Sequence, residues 1–295
     1  MRTLALALLT LLSACGGEDP AMGRTSQPIS RGATDSGASG VIVVIDTERG
    51  TLCSGVVVTP RLVITARHCV APVIGGELVN CAVSTFGTLS RADSVFVVTA
   101  PDTAIPDKRH GVVRILAPND PSFCGGDLAA LVLGEALPDE EAKPLSLRTE
   151  HEVQNSEPFT AVGFGRDGTE APSGTRRRRE DLRVSCVGLG CRSAQLTELE
   201  WLGEGAVCEG DSGGPAIDVD GRVIGIASRK RDACSATVYM DVTQSNAFVA
   251  SALGIAARTP PQSRGSCAYA PGPGSSWPLA LIALLFFRRA AARSR

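Results

Sequence analysis

Short runs of β-branched and other apolar residues, separated by glycines, prolines or charged turns, dominate the chain from Ile29 onward. Runs of this kind are typical of strands in antiparallel sheets. The pair Asp220-Gly221 lies between two of them and is a strong signal for a two-residue hairpin turn. A helical pattern covers Asn246–Leu253. The predicted strands are Val41–Ile45, Thr51–Val58, Leu62–Ala66, Ser94–Thr99, Val112–Leu116, Leu128–Leu133, Phe159–Gly163, Ala216–Val219 and Arg222–Ala227.

This pattern predicts an all-β fold of many short antiparallel strands followed by one short helix. The chain has 295 residues, of which 43% are hydrophobic, so it can bury a substantial core. Its formal net charge of −2 and its pI near 6.0 give no reason to expect a nucleic-acid partner. We expect no metal and no cofactor, and we expect the protein to be a monomer.

The N-terminus has the features of an export signal. Met1-Arg2 supplies a charged start and Leu4–Leu12 an apolar segment. The sequence Ser13-Ala14-Cys15 resembles the end of a bacterial lipoprotein signal, with Cys15 as the lipidated residue; the alternative is a plain secretory signal with an accidental cysteine. Ten cysteines also favour an oxidising compartment. We therefore predict a lipoprotein signal over residues 1–15 and a flexible tether or propeptide over residues 16–28.

The C-terminal region differs in composition from the body of the chain. Residues 257–276 are rich in Pro, Gln, Ser and Gly and are predicted to be a linker. In the final segment, 277–295, the apolar stretch Trp277–Phe287 is shorter than the roughly 20 residues that span a bilayer, and arginines follow it. With Cys267 before it, this arrangement resembles the C-terminal sorting tails of myxobacterial surface proteins; a buried helix is the alternative.

These two ends predict where the protein acts. We expect it to be exported and held at the cell surface or outer membrane by a lipid on Cys15, by the C-terminal segment or by both. Processing near either end would release it into the extracellular medium.

A candidate nucleophile lies in the heptapeptide Glu209-Gly210-Asp211-Ser212-Gly213-Gly214-Pro215. A serine hydroxyl is a poor nucleophile at neutral pH unless a base and suitably placed dipoles activate it. Glycines let a backbone approach a substrate closely and adopt torsions that a Cβ would forbid. The N–H groups of Gly210 and Ser212 could then bind a developing oxyanion. By itself the motif could equally be a glycine-rich turn.

One histidine and one aspartate could complete such a site. Of the three histidines, His68 follows an apolar strand and precedes a cysteine, whereas His110 and His151 lie in charged stretches and are predicted to be solvated. Asp127 comes directly before the apolar run Leu128–Leu133. A buried carboxylate needs a partner, which a histidine N–H could supply. The alternative for Asp127 is an ordinary strand-capping residue.

Taken together, three motifs resemble those of trypsin/chymotrypsin-like serine proteases, in the order His, Asp, Ser that this family uses. They are Thr65-Ala66-Arg67-His68-Cys69 with Cys53 before it, Asp127-Leu128-Ala129-Ala130-Leu131, and Gly210-Asp211-Ser212-Gly213-Gly214-Pro215. The resemblance covers residues 29–256, the predicted protease domain.

The resemblance implies a fold and an activity. The fold is two six-stranded antiparallel β-barrels with a short C-terminal helix, and the triad His68, Asp127 and Ser212 lies in the seam between the barrels. The N–H groups of Gly210 and Ser212 form the oxyanion hole. The implied activity is that of a serine endopeptidase, which cleaves a protein or peptide substrate through an acyl-enzyme. A catalytically silent homologue that binds proteins, and an esterase, are the alternatives.

The resemblance also implies a substrate pocket. It places Ala206 and Val207 at the base of the pocket, Thr237 at a wall, and Ser228 where it pairs with the substrate backbone. An apolar floor with a bulky wall is similar to elastase and implies small or medium aliphatic substrate side chains. The basic residues 229–231 offer a competing interpretation, selection of an acidic side chain, although a solvated loop is the expectation there.

Four disulfides are expected once Cys15 and Cys267 are set aside. Sequence alone leaves the pairing open. The resemblance implies Cys53–Cys69, which clamps the loop of His68, and Cys208–Cys234, which ties the nucleophile loop to the pocket wall. For the remaining cysteines we expect Cys81–Cys124 and Cys186–Cys191.

Three further features bear on the resemblance. Arg67 replaces the usual alanine before the histidine; we expect it to extend into solvent, the alternative being that it depresses the pKa of His68. The run Arg176–Arg179 matches the family's autolysis loop and is predicted to be solvated. Ile29 begins a sequence that resembles the mature N-terminus, which pairs with Asp211 in the family. Cutting before Ile29 would separate the protease from its N-terminal lipid.

Overall fold

The described residues comprise most of the predicted protease domain. The computed structural model describes residues 32–37, 39–76, 78–101, 109–165, 174–192, 195–205, 208–231 and 235–262. The predicted signal, the tether and the C-terminal segment lie outside these ranges, as does most of the linker. No helix within the described ranges combines the length and the apolar character needed to cross a membrane.

Strands make up nearly all of the regular structure, and one α-helix follows the last strand of the described chain. The strands are β1 (Ala33–Thr34), β2 (Val41–Asp46), β3 (Thr51–Thr59), β4 (Leu62–Thr65), β5 (Val73–Ile74), β6 (Thr85–Phe86), β7 (Val95–Val98), β8 (Arg109–Leu116), β9 (Ala129–Leu133), β10 (Pro158–Gly163), β11 (Arg177–Val187), β12 (Glu200–Glu204), β13 (Pro215–Ile217), β14 (Val223–Arg231) and β15 (Ala236–Asp241), and the helix is α1 (Asn246–Arg258).

The strands form two antiparallel barrels. The first closes in the order β2-β3-β4-β9-β8-β7. In the second, the order is β11-β10-β13-β14-β15-β12, and pairing of β11 with β12 closes the ring, with the short β1 added beside β11. Closure leaves no open sheet edge in either barrel, which is the usual solution for an all-β fold. The fold predicted from the resemblance is thus confirmed.

Each barrel has its own apolar core, and a third cluster joins them. Valines, leucines and alanines of β2, β3, β4, β7, β8 and β9 fill the first barrel. An aromatic group fills the second, in which the rings of Trp201 and Tyr239 stack with centroids 4.3 Å apart. Gly225 packs directly against the Trp201 ring. A Cβ at this position would come within 2.6 Å of the ring, so a larger residue would not fit. Side chains of both barrels meet Ala252 and Ala256 of α1 in the joining cluster, so the helix helps to fix one barrel on the other.

The predicted strands are all present, with ends that differ by up to four residues, and α1 continues past the predicted Leu253 to Arg258. Three strands of the second barrel were not predicted: β11, β12 and β15. The run Arg176–Arg179 was assigned to a solvated loop, and this was wrong, since Arg177–Arg179 belong to β11. Arg176 is buried, and its Nε lies 2.8 Å from Asp35 Oδ2.

The two outlying histidines differ from each other. His151 is exposed, as predicted. His110 was predicted to be solvated as well, and this was wrong: it is 6% exposed, and its Nε2 lies 2.9 Å from Glu141 Oε2. Its position on β8, facing inward, explains the burial, because an imidazole can enter a barrel once a carboxylate meets its ring nitrogen.

Candidate active site

His68 lies in a single 3₁₀ turn, Arg67–Cys69, that directly follows β4. Strand β4 ends at Thr65, where the chain turns out of the barrel. The Cys53–Cys69 disulfide links this turn to β3. The His68 backbone N–H donates to Asp127 Oδ1 at 2.9 Å, and the ring Nδ1 lies 2.8 Å from Asp127 Oδ2. One carboxylate therefore holds both the backbone and the ring of His68, while 23% of the side chain remains exposed.

Asp127 is fully buried at the start of the loop into β9. Besides the two contacts with His68, its Oδ2 accepts a hydrogen bond from Ser228 Oγ of the second barrel at 2.6 Å. Burial by itself would raise the pKa of Asp127, but the charge of His68 and the hydrogen bonds from His68 and Ser228 outweigh it and hold the pKa below its ordinary value. The carboxylate is thus ionised and can only accept hydrogen bonds.

The protonation of His68 follows from this pair. Burial would lower the pKa of the His68 imidazole, but the charge of Asp127 and the hydrogen bond to it raise the pKa above the ordinary 6.5. Since Asp127 only accepts, the proton of the neutral ring sits on Nδ1. The lone pair of Nε2 is then available to a proton donor.

The predicted nucleophile Ser212 is half-buried in a loop packed on the strands that lead to His68. Its carbonyl accepts a hydrogen bond from Ser54 N at 2.8 Å. The next residue, Gly213, has φ of 82°, and a Cβ there would come within 2.1 Å of Thr65 Oγ1. Only glycine allows this approach, and Thr65 precedes His68 by three residues. The structure therefore brings the Ser212 loop against the segment that carries the histidine.

Several backbone N–H groups of the same loop make no hydrogen bond within the described residues. The N–H groups of Asp211, Gly213 and Gly214 donate to backbone carbonyls at 3.1, 2.8 and 2.9 Å. Among the hydrogen bonds of the described residues, none is donated by the N–H of Gly210 or of Ser212. Gly210 has φ of 94°, a torsion that glycine adopts without strain. Both residues predicted to form the oxyanion hole thus have an N–H group that no acceptor of the described residues occupies, and the same holds for Glu209.

The buried carboxylate of Asp211 holds the nucleophile loop in place. Its carboxylate accepts hydrogen bonds from Gly165 N at 2.7 Å and from Cys208 N at 3.0 Å, and it is buried. Its predicted partner, the amino group of Ile29, lies outside the described residues.

The predicted pocket is described only in part, because Ala206 and Val207 lie outside the described residues. Thr237, on β15, is fully buried, and it pairs with Lys230 on one side and with Gly203 on the other. Ser228 occupies a bulge of β14, where the pairing with β15 skips a residue.

An ion pair links the nucleophile loop to the wall formed by β14. Lys230 Nζ lies 3.5 Å from Glu209 Oε1, and both side chains are exposed. Glu209 precedes Ser212 by three residues, and Lys230 follows Ser228 by two. The loop and the strand are also joined at Gly213, whose N–H donates to Ala227 O at 2.8 Å. A backbone hydrogen bond and an ion pair thus join the nucleophile loop to β14.

Arg67 does not extend into solvent, and that prediction was wrong. The side chain is buried, and Nη1 donates to Pro118 O at 3.0 Å and to Asp120 O at 2.8 Å. The guanidinium lies 4.6 Å from the centroid of the Phe86 ring. Burial lowers the pKa of Arg67, and the charges of Asp127 and Asp120 oppose that effect. Arg67 thereby connects the His68 turn to the loop that ends at Asp127.

The basic residues after Ser228 were expected to form a solvated loop, and this was wrong for Arg229. Strand β14 continues to Arg231, and the Arg229 guanidinium lies 2.5 Å from Glu200 Oε1, a carboxylate with no exposed surface. Its charge is therefore matched inside the protein, which weakens the interpretation that this residue selects an acidic substrate.

Three of the expected disulfides are present: Cys53–Cys69, Cys81–Cys124 and Cys186–Cys191. Cys208 is also disulfide-bonded, and its expected partner Cys234 lies outside the described residues. Cys53, His68 and Cys69 come together as a possible metal-binding group. The two sulfurs are joined to each other and offer no thiolate, so the group lacks the donors that a metal ion needs.

Sequence reasoning missed two residues that belong to the site. Ser54 contacts the loop of Ser212 with both its backbone and its hydroxyl. Phe123 lies with its ring centroid 6.2 Å from that of His68, and it stacks on Phe86 at 5.1 Å. Neither residue has a local signal, since each acts through a partner distant in the chain.

Comparison with known proteins identifies the family of the chain. Residues 29–249 match the Trypsin family. Serine protease SP24D of Anopheles gambiae is 29% identical over 182 residues, which are 60% of this chain and 61% of that protein. The chain thus spans about three fifths of the length of that relative. A solved structure, the inactivated protease paralogue S-D1 of the scabies mite, shares the fold with a TM-score of 0.60 at 13% identity, covering 78% of this chain and 98% of that one.

Proposed function

The chain belongs to the trypsin family, and from this premise we propose that it is a serine endopeptidase that hydrolyses peptide bonds through an acyl-enzyme. One observation carries the proposal: the hydrogen-bonded series from Ser228 to Asp127 to His68, at 2.6 and 2.8 Å, lies where the Ser212 loop docks on the His68 segment. The series ends at an imidazole nitrogen that can accept a proton.

The reaction begins at Ser212. Its Oγ attacks the carbonyl carbon of the scissile bond while His68 Nε2 accepts the hydroxyl proton. Asp127 holds Nδ1–H and stabilises the imidazolium that forms. The tetrahedral intermediate collapses as His68 returns the proton to the departing amine, which leaves the acyl group on Oγ. A water molecule then attacks the ester, again with His68 as base, and releases the acid and free Ser212.

The available N–H groups of Gly210 and Ser212 support the second requirement of this chemistry. The substrate oxygen becomes negative in the tetrahedral intermediate, and two preorganised donors stabilise it without rearrangement. Removing one such donor typically lowers kcat by about 10²–10³-fold. Because Asp211 is fixed by two backbone donors, the loop holds this shape before any substrate arrives.

We further propose a preference for small or medium aliphatic substrate side chains. Thr237 occupies the position that the resemblance assigns to the pocket wall, and the ion pair of Lys230 with Glu209 connects β14 to the nucleophile loop. An exposed ion pair contributes only about 0.2–1 kcal/mol, so it can open for a substrate. It leaves no net charge at that position, which favours neither basic nor acidic side chains.

A panel of peptide substrates that differ only in the residue before the scissile bond tests this preference. We expect substrates with Ala or Val before the scissile bond to be cleaved with the highest kcat/KM. Lys230→Met removes the ion pair between β14 and the nucleophile loop and should therefore raise the ratio of Phe to Ala cleavage. A strong preference for Arg or Lys, or for Asp or Glu, would refute the assignment of the pocket.

A catalytically silent homologue that binds proteins is the second candidate. The name of the mite protein shows that inactivated chains occur among proteins of this fold. In the present chain the proposed nucleophile, base and acid are all present, and the base and the acid are hydrogen-bonded to each other at 2.8 Å, which favours the enzyme.

One assay separates the two candidates. A fluorophosphonate probe labels an activated serine covalently, so the exported protein should be labelled and Ser212→Ala should not be. Casein turnover should disappear in the same variant. If the native protein is neither labelled nor active after N-terminal processing, the binding function is the correct one.

The expected location follows from the two ends of the chain. A disulfide-rich domain of this family is typical of exported proteins, and we propose that a lipid on Cys15, the C-terminal segment or both hold it at the cell surface. Metabolic labelling with palmitate should mark the native chain and not Cys15→Ser. N-terminal sequencing of active protein should give Ile29; a start at Cys15 would refute release from the lipid by cleavage.

A further inference from the structure

Ser54, on β3 of the first barrel, uses all of its polar atoms inside the protein. It is fully buried. Its N–H donates to Ser212 O at 2.8 Å, and its Oγ donates to Gly210 O at 2.9 Å. The same Oγ accepts a hydrogen bond from Phe164 N at 3.0 Å, and the Ser54 carbonyl accepts one from Thr65 Oγ1 at 2.7 Å. One residue of the first barrel thus donates hydrogen bonds to two carbonyls of the nucleophile loop.

Those two carbonyls belong to the same residues whose N–H groups are available. A peptide unit is planar, so a carbonyl held in place fixes the plane that it shares with the following N–H. Ser54 therefore fixes the plane between Gly210 and Asp211 and the plane between Ser212 and Gly213. The plane between Asp211 and Ser212, which carries the Ser212 N–H, lies between these two fixed planes and has little freedom to turn.

The Gly210 donor is restrained on one side only. Its N–H belongs to the plane shared with Glu209, and Gly210 can adopt positive or negative φ with little penalty. At φ of 94° this N–H is available to a substrate. The hydrogen bond from Ser54 Oγ to the Gly210 carbonyl removes one of the two torsions through which the donor could turn away. The hydroxyl is fixed in this role, since the Phe164 N–H it accepts leaves its own proton to point at Gly210.

We propose that Ser54 is a positioning residue for the oxyanion hole, and that its hydroxyl preorganises the N–H donors of Gly210 and Ser212. This inference rests on the proposed function. Ser54 touches no reacting atom and acts through the loop. Without the hydroxyl, the backbone bond to Ser212 O remains, so the loss should fall on the Gly210 donor and should affect the tetrahedral state more than substrate binding.

The test compares two ligands that differ at one carbon. A peptide aldehyde forms a tetrahedral adduct with a serine nucleophile, while the corresponding peptide alcohol occupies the same subsites and forms no adduct. For Ser54→Ala we expect the aldehyde inhibition constant to rise by about 10–100-fold, which is less than the loss of a whole donor, while that of the alcohol changes less than about twofold. We expect kcat to fall by the same factor as the aldehyde affinity, with KM nearly unchanged.

Controls separate positioning from general loosening. Thr243→Val removes another buried hydroxyl, which donates to Asp241 Oδ1 at 2.7 Å, and should leave both ligands unaffected. Ser54→Cys fills the space with a weaker donor and gives the same comparison if the alanine variant does not fold. Equal weakening of aldehyde and alcohol, or no weakening of either, refutes the role of Ser54. If wild-type protein fails to bind the aldehyde more tightly than the alcohol, the proposed function itself is wrong.

Discussion

Replacing Arg67 with methionine tests whether a buried cation holds the loop of Asp127 to the histidine turn. Methionine keeps an unbranched chain of similar reach and removes the guanidinium. The variant loses two hydrogen bonds to carbonyls, at 3.0 and 2.8 Å, and the contact over Phe86 at 4.6 Å. Neither carbonyl is fully buried, since Pro118 is half-exposed and Asp120 is exposed, so water can replace part of what is lost.

The size of the effect follows from these contacts. A hydrogen bond from a charged donor contributes about 1.5–3 kcal/mol, and the contact of the cation with the ring adds about 1 kcal/mol. Removing a buried charge returns its desolvation penalty, so the net loss should be about 2–3 kcal/mol. For a domain of this size, Tm should fall by about 4–12 °C.

Thermal unfolding followed by circular dichroism measures the change, and kcat/KM is measured below the transition. The matched control is Arg109→Met, since Arg109 also lies over a phenylalanine ring, at 4.9 Å from Phe96, but on the exposed side of the first barrel. The control should lose less than about 1 kcal/mol. If the two variants lose the same stability, the carbonyl contacts of Arg67 contribute nothing and the reasoning fails.

Three other outcomes are expected. A neutral His68 is required as base, and its pKa in the folded protein lies above 6.5, so kcat/KM should fall as the pH drops through that raised pKa. Asp127→Asn should lower the pH at which this fall occurs. Protonation of His68 also stabilises the fold, and this contribution is present below pH 6.5 and lost as the pH rises through the folded pKa. Replacing both Cys186 and Cys191 by serine should cost about 2 kcal/mol in denaturant unfolding, since the bridge closes a short loop, and an unchanged midpoint would contradict this. Asp35→Asn should destabilise the fold by about 3–5 kcal/mol, because it leaves a buried arginine without its carboxylate; a Tm equal to that of the wild type would refute the importance of the pair.

The sequence was sufficient for the features that local pattern and motif determine. The β-branched runs predicted all six strands of the first barrel, and the glycines around Ser212 identified a loop that must approach other backbone closely. The structure gives the reason, since a Cβ on Gly213 would collide with Thr65. The resemblance supplied the two barrels and the pairing of His68 with Asp127. The position of the Ser212 hydroxyl relative to His68 stays a prediction.

The remainder depends on partners that are distant in the chain. Arg176 was predicted to be solvated because charged runs usually are, but Asp35, 141 residues earlier, makes its burial possible. Strand β11 was missed because its charged residues mask the apolar positions, although Leu182 and Val184 are buried. Ser54 has no signal of its own, because its role depends on Gly210, 156 residues away.

The hydroxyl of Ser228 has a consequence for when proteolysis can begin. It comes from one barrel and holds the aspartate of the other. A nascent chain whose first half has folded possesses an imidazole and a carboxylate, yet it lacks the nucleophile, the oxyanion donors and this third support. Under the proposed function, cleavage requires both barrels to be folded and joined, so a chain of which only the first barrel has folded would be inactive.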